Sequence, residues 1–397
     1  MTNEDKTHKF NIKNNTVRLV LITLVFLLCA GGVFIYLNKV FTMGHSDPNR
    51  MLMKGFYAQK EDSLDVIYLG TSATNRYCNT PMMFHDEGIA GYNVATMGMP
   101  MFFIPILVDE IQKTHDPDLY IIELRWVDSC REEVTDAHIR RITDNLKYSQ
   151  NRVDAIEKAW EFMDGETGLY GDITYDKLDY MLPIVKYHSR LAQGDLKLGD
   201  IKPWIKRNKT KGYVMTYSTT LQVNQFKPKL TDKRAELEPE IADTLDEVLD
   251  CCDELSKQDK EILFVLAPYS VKTSSMAKFN TAIDTVEARG YDVLNFNTYE
   301  MYEELDLDWD HDFYNSMHVN YLGAEKYTGY LEKYLAENYD LKDHRGDENY
   351  DSWEGAYNYY KEYTGEGILS EGHKDRPGGP VTMIREDNPK GEEYTGN

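Results

Sequence analysis

A serine and a distant histidine are the residues of this sequence that could carry out nucleophilic chemistry together. Ser72 follows the apolar run DVIYL and a glycine, whereas His318 lies in the string DFYNSMHVNYLGA. A serine hydroxyl needs a base to take its proton, and a histidine on a loop is the usual supplier. Asn315 and Asp312 precede the histidine in the chain. The two blocks together predict a serine nucleophile that is activated by a histidine.

Ser72 on its own also fits a structural interpretation. Gly70 and Ser72 could form an ordinary turn in which a small polar residue caps the next helix. Other histidines, such as His85 and His138, lack a comparable setting, and we interpret them as surface or packing residues. The functional prediction therefore depends on the serine and histidine blocks lying together in the fold.

An alternation of strands and helices must position both blocks. Short apolar runs rich in β-branched residues predict buried parallel strands, at Asp65–Leu69, Tyr92–Ala95, Leu119–Leu124, Ile262–Ala267 and Val293–Phe296. Helical patterns lie between and after them, at Phe102–Lys113, Ile241–Lys257, Ser274–Arg289 and Ala324–Asn338. This order predicts an α/β three-layer sandwich with a parallel sheet. Ser72 would then stand at the carboxyl end of the first strand, where open α/β sheets bind their ligands.

Two segments depart from this alternation. Residues from about 131 to 235 contain helical stretches and aromatic residues but no clear series of strands, so we interpret them as an insertion in an α/β domain that spans residues 60–338. Residues 339–397 are rich in Gly, Asp, Glu, Asn and Tyr without periodicity, which predicts a loosely ordered tail. The aromatic run SWEGAYNYYKEY within this tail leaves a local docking role open.

An apolar segment near the N-terminus predicts a membrane anchor. Residues 17–37 are almost entirely apolar, with Arg18 near one edge, and are long enough to cross a hydrocarbon core of roughly 30 Å. A cleaved signal peptide is the alternative, but it would need a shorter apolar run and a small-residue cleavage site. Basic residues are more frequent before the segment than after it. This bias favours a cytoplasmic N-terminus at residues 1–16, a single pass through the cell membrane, and a main domain outside the cytoplasm.

The composition excludes several classes of function. With 67 acidic and 44 basic residues, the chain has a net charge of −23 and no basic stripe, so we expect no nucleic-acid partner. The five cysteines are too few for a disulfide framework and lack metal-ligand spacing. We expect neither a metal nor a cofactor, and an extracytoplasmic domain argues against ATP- or NAD-dependent metabolism.

Three blocks of the sequence resemble the SGNH/GDSL hydrolase superfamily. They are GTS after the first strand, YNVATMG after the second, and DFYNSMHVNYLGA before the last helix. The resemblance covers most of residues 60–338. It is closest to a membrane-anchored bacterial branch that includes the DltD-like teichoic-acid D-alanylation proteins and the alginate-type O-acetylation proteins. It implies a flavodoxin-like SGNH fold and an esterase or O-acyltransferase for cell-envelope polysaccharide or teichoic acid, often beside a multispanning membrane acyltransferase.

The resemblance also implies roles for individual residues. Ser72 corresponds to the nucleophile and His318 to the base. Gly98, in the second block, corresponds to the glycine whose amide helps the Ser72 amide to stabilise an oxyanion, and Asn93 lies five residues before it. The second block thus supplies part of a predicted oxyanion hole, whose further donor in this family is an asparagine after the third strand.

Two positions depart from the family pattern. Asn315 stands where an aspartate is usual, and the change from Asp to Asn in a serine triad can cost roughly 10⁴ in turnover. Asp312 could replace the missing carboxylate if the loop bends suitably. No asparagine follows the third strand, where we expect Glu123 and Arg125 to form an ion pair instead. The alternative function is therefore a catalytically inactive protein that binds or scaffolds a cell-envelope glycan or a membrane acyltransferase.

The insertion contains one further candidate site. His188 and Arg190 lie in the string YHSR at the end of a helical pattern, and similar strings occur in the membrane-anchored branch. They could contact an anionic or carbohydrate ligand. The alternative is that a cation at a helix end interacts with the helix dipole.

Overall fold

The computed structural model describes residues 15–42, 47–163, 176–194, 196, 208–216 and 227–364. They form two compact units. The smaller unit contains the residues up to Thr42 together with those from Leu182 to position 196, and the larger unit contains the others.

The helices of the described residues are α1 (Asn15–Val40), α2 (Pro48–Phe56), α3 (Ser72–Asn75), α4 (Thr80–Glu87), α5 (Ile104–Ile111), α6 (Asp136–Thr143), α7 (Gln150–Phe162), α8 (Lys177–Met181), α9 (Pro183–Tyr187), α10 (Ser189–Ala192), α11 (Pro239–Ser256), α12 (Thr273–Arg289), α13 (Tyr299–Glu304), α14 (Tyr321–Asn338) and α15 (Asp351–Thr364). The strands are β1 (Val66–Gly70), β2 (Gly91–Ala95), β3 (Leu119–Glu123), β4 (Glu261–Leu266), β5 (Asp292–Asn295), β6 (Phe313–Asn315) and β7 (His318–Val319).

The smaller unit is built around α1. This helix has the length and apolar composition needed to cross a membrane, and the apolar stretch is not buried within the protein. At its end, the Asn38 side chain accepts the backbone N–H of Ile184 at 3.3 Å, and Arg190 donates to the carbonyl of Thr42 at 2.8 Å. The short helices α9 and α10 are therefore joined to the polar end of the predicted membrane span.

The larger unit contains a five-stranded parallel sheet in the order β2-β1-β3-β4-β5. Each strand lies within one residue of the bounds predicted from the sequence, which confirms the α/β class. Strand β1 is flanked by β2 and by β3, so the direction of winding changes beside it. Crevices at such switch points are where open α/β sheets bind ligands.

Alternate side chains of the strands enter two separate hydrophobic cores. Ile67 and Leu69 belong to the core that α5, α7 and α11 also supply. Val66 and Tyr68 belong to the other core, which includes side chains of α4 and α14. The alternation follows from the two-residue repeat of a strand, and it explains why these runs are apolar on both faces.

A small hairpin outside the main sheet precedes α14. Strands β6 and β7 pair antiparallel, and Asn315 lies opposite His318 in the register. The sequence does not predict this hairpin, because its strands of three and two residues are too short to show a periodic pattern. It fixes the spacing between the histidine and the asparagine.

The C-terminal region differs from the prediction as far as the structure describes it. Residues 339–364 are ordered and include α15, which packs against α4. Trp353 and Tyr360 are each only 1% exposed, so these two aromatic residues of the polar segment belong to the core. The remainder of the predicted tail, residues 365–397, lies outside the described residues, as do parts of the insertion.

Candidate active site

The nucleophile candidate lies in a tight connection between β1 and α3. Gly70 has φ +155°, and a Cβ atom there would lie 2.4 Å from Thr74 Oγ1 and 2.7 Å from Glu123 Cβ. Thr71 caps α3 by accepting the N–H of Ala73. The backbone therefore turns sharply at the carboxyl edge of the sheet and leaves Ser72 half-buried, where a substrate could reach it.

The structure brings Ser72 and His318 together. Ser72 Oγ lies 2.7 Å from His318 Nε2, and His318 Nδ1 lies 3.1 Å from Asn315 Oδ1. The three residues thus form a continuous line of hydrogen-bonded groups, although 246 residues separate the serine from the histidine. The close approach that the sequence predicts for Ser72 and His318 is confirmed.

The position of Asn315 fixes which ring nitrogen of His318 carries the proton. The backbone N–H of Met317 donates to Asn315 at 2.9 Å, so the amide atom at this point must be the oxygen. An amide oxygen only accepts, and the neighbouring Nδ1 must therefore be the protonated nitrogen. In the neutral ring, Nε2 then accepts the hydroxyl proton of Ser72, which is the arrangement that a general base requires.

The surroundings of His318 favour the neutral ring. Burial and the positive charges of Arg76 and Arg125 lower the pKa of His318 well below its usual 6.5. Asn315 carries no negative charge to oppose this effect. The histidine is therefore neutral near pH 7 and ready to accept a proton, but the imidazolium that forms during catalysis receives little electrostatic stabilisation.

Asp312 does not occupy the position behind the histidine. Its carboxylate lies 2.9 Å from the ammonium group of Lys326 and accepts the backbone N–H of Asp308 at 2.7 Å. The expectation that Asp312 could replace the missing aspartate is therefore wrong, because Asn315 is the residue that meets His318 Nδ1. Asp312 instead stabilises the loop that leads into the hairpin.

The two predicted oxyanion-hole residues of the second block have different settings. Asn93 lies in β2, where its backbone N–H donates to the Lys211 carbonyl and its side-chain amide donates to the Cys78 carbonyl. These contacts hold Asn93 in the core, and none of them reaches Ser72. Gly98 follows β2 with φ +63°, and the N–H of Thr96, just before it, donates to Gly70 O. The loop that contains Gly98 therefore begins beside the nucleophile turn. The backbone amide of Gly98 remains the predicted hydrogen-bond donor to the oxyanion.

Three buried polar residues, Glu123, Arg125 and Tyr77, contact the segments that carry the serine and the histidine. Glu123 accepts the Thr71 hydroxyl at 3.2 Å and the backbone N–H of Arg125 at 3.0 Å. The Arg125 guanidinium donates to the carbonyl of Met317 at 2.5 Å and to the hydroxyl of Tyr77 at 2.8 Å. The contact expected between Glu123 and Arg125 thus runs through the backbone amide. Glu123 ends β3 and Arg125 follows it, at the same sheet edge as Ser72, and this position is a sequence signal for these two residues. Tyr77 has no such signal.

Residues 208–216 of the insertion contact the segments beside the site. The backbone N–H of Val214 donates to the carbonyl of Asn75 at 2.7 Å, and Arg76 donates to the hydroxyl of Thr216 at 3.1 Å. The N–H of Tyr321, just after the histidine, donates to the carbonyl of Thr216 at 2.8 Å. These residues of the insertion therefore make hydrogen bonds to α3 and the residue after it, and to the start of α14.

His188 and Arg190 belong to the smaller unit. The Nδ1 atom of His188 lies 2.7 Å from the Val185 carbonyl, within its own turn of chain. Arg190 lies within α10 and donates to the carbonyl of Thr42, two residues beyond the end of α1. Their ligand-binding role remains a prediction.

Glu123 is an acidic group in direct contact with the nucleophile turn, through the hydroxyl of Thr71. Burial raises the pKa of this carboxyl to about 7, while the charge of Arg125 and the hydrogen bonds from Arg125 and Thr71 favour its ionised form.

Among the described residues, no group of three or more His, Cys, Asp or Glu side chains could hold a metal ion. The arrangement at Ser72 is suited to nucleophilic attack by an oxygen.

Comparison with known proteins gave no assignment. No family model matches the chain, and no curated protein matches it either. The geometry of the site and the sequence blocks that form it are therefore the basis for a functional proposal.

Proposed function

We propose that the chain is a membrane-anchored serine esterase or O-acyltransferase of the SGNH type, acting outside the cytoplasm on cell-envelope polysaccharide or teichoic acid. The observation that carries the proposal is the 2.7 Å contact between Ser72 Oγ and His318 Nε2, with Asn315 behind the ring. The place of Ser72 at the switch point of the sheet supports it further.

The proposed reaction begins when His318 Nε2 removes the hydroxyl proton of Ser72. The oxygen attacks the carbonyl carbon of an acyl ester, and the amides of Ser72 and Gly98 stabilise the resulting oxyanion. The imidazolium then gives its proton to the departing alcohol, which leaves the acyl group on Ser72. Water, or the hydroxyl of a glycan in a transferase, attacks this ester with His318 again as the base.

The acyl donor and the membrane orientation belong to the same proposal. The apolar helix α1 would anchor the chain with its N-terminus in the cytoplasm, which leaves Ser72 on the outer side. A multispanning membrane acyltransferase is the partner expected from the resemblance, since it would deliver acyl groups across the membrane. In this arrangement the chain would transfer the acyl group to the envelope polymer.

An inactive binding protein is the second candidate. Asn315 supports it, because a neutral amide does not stabilise an imidazolium as a carboxylate does. Such a protein would retain the crevice at Ser72 for holding a glycan without chemistry.

The two candidates differ in their reaction with small activated esters. The full chain in detergent micelles should hydrolyse p-nitrophenyl acetate, and a fluorophosphonate probe should label Ser72. Ser72→Ala and His318→Ala should reduce hydrolysis to background, whereas Ser256→Ala, at the end of α11, should have no effect. Absence of both hydrolysis and labelling across acetyl and aminoacyl esters, even with the membrane partner present, would favour the binding protein.

A further inference from the structure

We propose that Arg125 and Tyr77 are positioning residues of the Ser72–His318 site, which hold the carbonyl of Met317 and so present the histidine to the serine. This inference rests on the proposed function for its catalytic meaning. Its structural part, the control of His318 by Arg125, can be tested independently of any activity.

The contacts converge on the residue just before the histidine. Arg125 Nη1 donates to the Met317 carbonyl at 2.5 Å, and the Tyr77 hydroxyl lies 3.0 Å from the same oxygen. Arg125 Nη2 donates to the Tyr77 hydroxyl at 2.8 Å. Because the Met317 carbonyl belongs to the peptide group that continues into His318, a shift of this oxygen moves the histidine backbone.

Arg125 is itself held firmly in place. The guanidinium lies 4.0 Å from the ring centre of Tyr269 and 5.1 Å from that of Tyr77. Arg125 is 8% exposed and Tyr77 is fully buried, so little water competes for these contacts. The Tyr77 hydroxyl also lies 2.8 Å from the carbonyl of Pro268, just after β4. A planar guanidinium between two rings, with donors in a fixed fork, is suited to fixing a backbone oxygen.

The same strand end also holds the nucleophile turn. Glu123 accepts the hydroxyl of Thr71, the residue before Ser72, and accepts the backbone N–H of Arg125. One short segment at the end of β3 therefore contacts the residue before the nucleophile and the residue before the base. This arrangement accounts for a 2.7 Å contact between side chains that lie on separate loops.

Arg125 acts on His318 through charge as well as through position. Arg76 and Arg125 are the charged groups that lower the pKa of the His318 ring. The carboxylate of Glu123 accepts a hydrogen bond from the hydroxyl of Thr71. Asn315 supplies an acceptor without a charge. The two effects of Arg125 can be separated, because lysine retains the charge but lacks the fork of donors.

The test compares Arg125→Gln, Arg125→Lys and Tyr77→Phe in the full chain in detergent micelles. The first readout is the kcat and KM for p-nitrophenyl acetate as a function of pH. The second is the titration of His318 by NMR on histidine-labelled protein, with the signal assigned from its absence in His318→Gln. Arg289→Gln is the matched control, since Arg289 forms its ion pairs with Asp250 and Asp253 on the surface.

Arg125→Gln should lower kcat by on the order of 10²-fold with little change in KM, because misplacement of a catalytic group by about 1 Å has an effect of this size. It should also raise the pKa of His318, so that kcat falls at a higher pH when the solution is made acidic. Arg125→Lys and Tyr77→Phe should lower kcat while leaving the pKa of His318 close to that of the wild type. Arg289→Gln should change neither readout.

The proposal is overturned if folded Arg125→Gln leaves the kcat and the pKa of His318 unchanged. It is also overturned if Arg125→Lys and Tyr77→Phe both retain the wild-type kcat. If Arg125→Gln does not fold, these two variants decide the result. If the wild type proves inactive, the proposed function fails. The control of His318 by Arg125 can still be tested by NMR, because an unchanged pKa of His318 in Arg125→Gln would overturn it and a raised pKa would support it.

Discussion

At the scale of single residues, Asn315 provides His318 with an acceptor but not with a charge. Its oxygen fixes the proton on Nδ1 because the same oxygen accepts the N–H of Met317. An asparagine that replaces the aspartate of a serine triad can stabilise the wrong tautomer, and the rate then falls by roughly 10⁴. Here the tautomer is the productive one, so the expected loss is limited to the missing stabilisation of the imidazolium.

Asn315→Asp should therefore increase the turnover of a small ester by about tenfold or more, through more effective general base catalysis. The carboxylate should also raise the pKa of His318 from its lowered value. Because the base must be neutral, the rate is lost as the pH falls through this pKa, and the acid limb should move to higher pH. Steady-state rates between pH 4 and pH 9, measured in steps of about one unit, would show both effects.

Asp312→Asn is the matched control, because it makes the opposite change in a residue that contacts Lys326 and the Asp308 amide. It should affect the stability of the loop and leave the acid limb in place. A turnover of Asn315→Asp at pH 8 that does not exceed that of the wild type, in a folded protein, would contradict the interpretation of Asn315.

The sequence predicted the serine and the histidine of the site better than the residues that hold them in position. Ser72 and His318 follow from residue type and from their places relative to the first strand and the last helix. The positioning role of Arg125 and Tyr77 could not be predicted in this way, because the contacts of the guanidinium with the Tyr77 and Tyr269 rings depend on how distant segments pack. The choice between Asn315 and Asp312 likewise depended on how a short loop bends.

At the scale of elements, the C-terminal helix α15 belongs to the core of the larger unit. Trp353 packs against Phe84 of α4 with ring centres 5.8 Å apart, and its indole N–H donates to the carbonyl of Gly91 at 3.4 Å. The ammonium group of Lys211 lies 3.4 Å from the centre of its ring. One side chain thus joins α15, α4, the start of β2 and the insertion.

Trp353→Ala should reduce the free energy of unfolding by about 3–5 kcal/mol, the usual cost of removing a fully buried aromatic side chain. Urea unfolding followed by circular dichroism would measure the change in the full chain. Tyr299→Ala is the control, since Tyr299 is 64% exposed and its removal should change stability by no more than about 0.5 kcal/mol. Equal effects of the two substitutions would show that α15 does not stabilise the fold.

The accuracy of the sequence predictions for elements follows from their burial. Strands buried on both faces are continuous apolar runs, and each was located to within one residue. The hairpin of β6 and β7 was missed because its few residues form no pattern. The polar composition of the α15 segment predicts a loosely ordered tail, but Trp353, Ala356 and Tyr360 recur about once per turn and bury one face of the helix.

At the scale of the whole molecule, α1 divides the sequence into a short N-terminal part and a large remainder. The proposed orientation rests on the basic residues that precede the helix. If it is correct, protease added to intact cells with a permeable wall should remove the larger unit and leave a stub that remains in the membrane. Immunoblotting for an epitope tag at each end of the chain would follow the two products.

A cytoplasmic protein must stay intact in the same sample, as the control for cell integrity. Complete protection of the larger unit in intact cells, followed by its digestion after lysis, would contradict the orientation and with it the proposed extracytoplasmic reaction. The stub also tests whether the apolar segment is retained, because a cleaved signal peptide would leave the N-terminal tag separate from the rest of the chain.

Strand β2 lies at one edge of the sheet, and Lys211 and Gly212 of the insertion lie against it. The outward N–H of Asn93 donates to the carbonyl of Lys211 at 3.2 Å. Gly212 follows with φ +89°, and a Cβ atom there would lie 2.5 Å from the Asn93 carbonyl, so only glycine permits this approach. An uncovered edge can pair with the same strand of another copy and start aggregation. Lys211 and Gly212 therefore occupy the edge at Asn93, where another copy of the strand would otherwise pair.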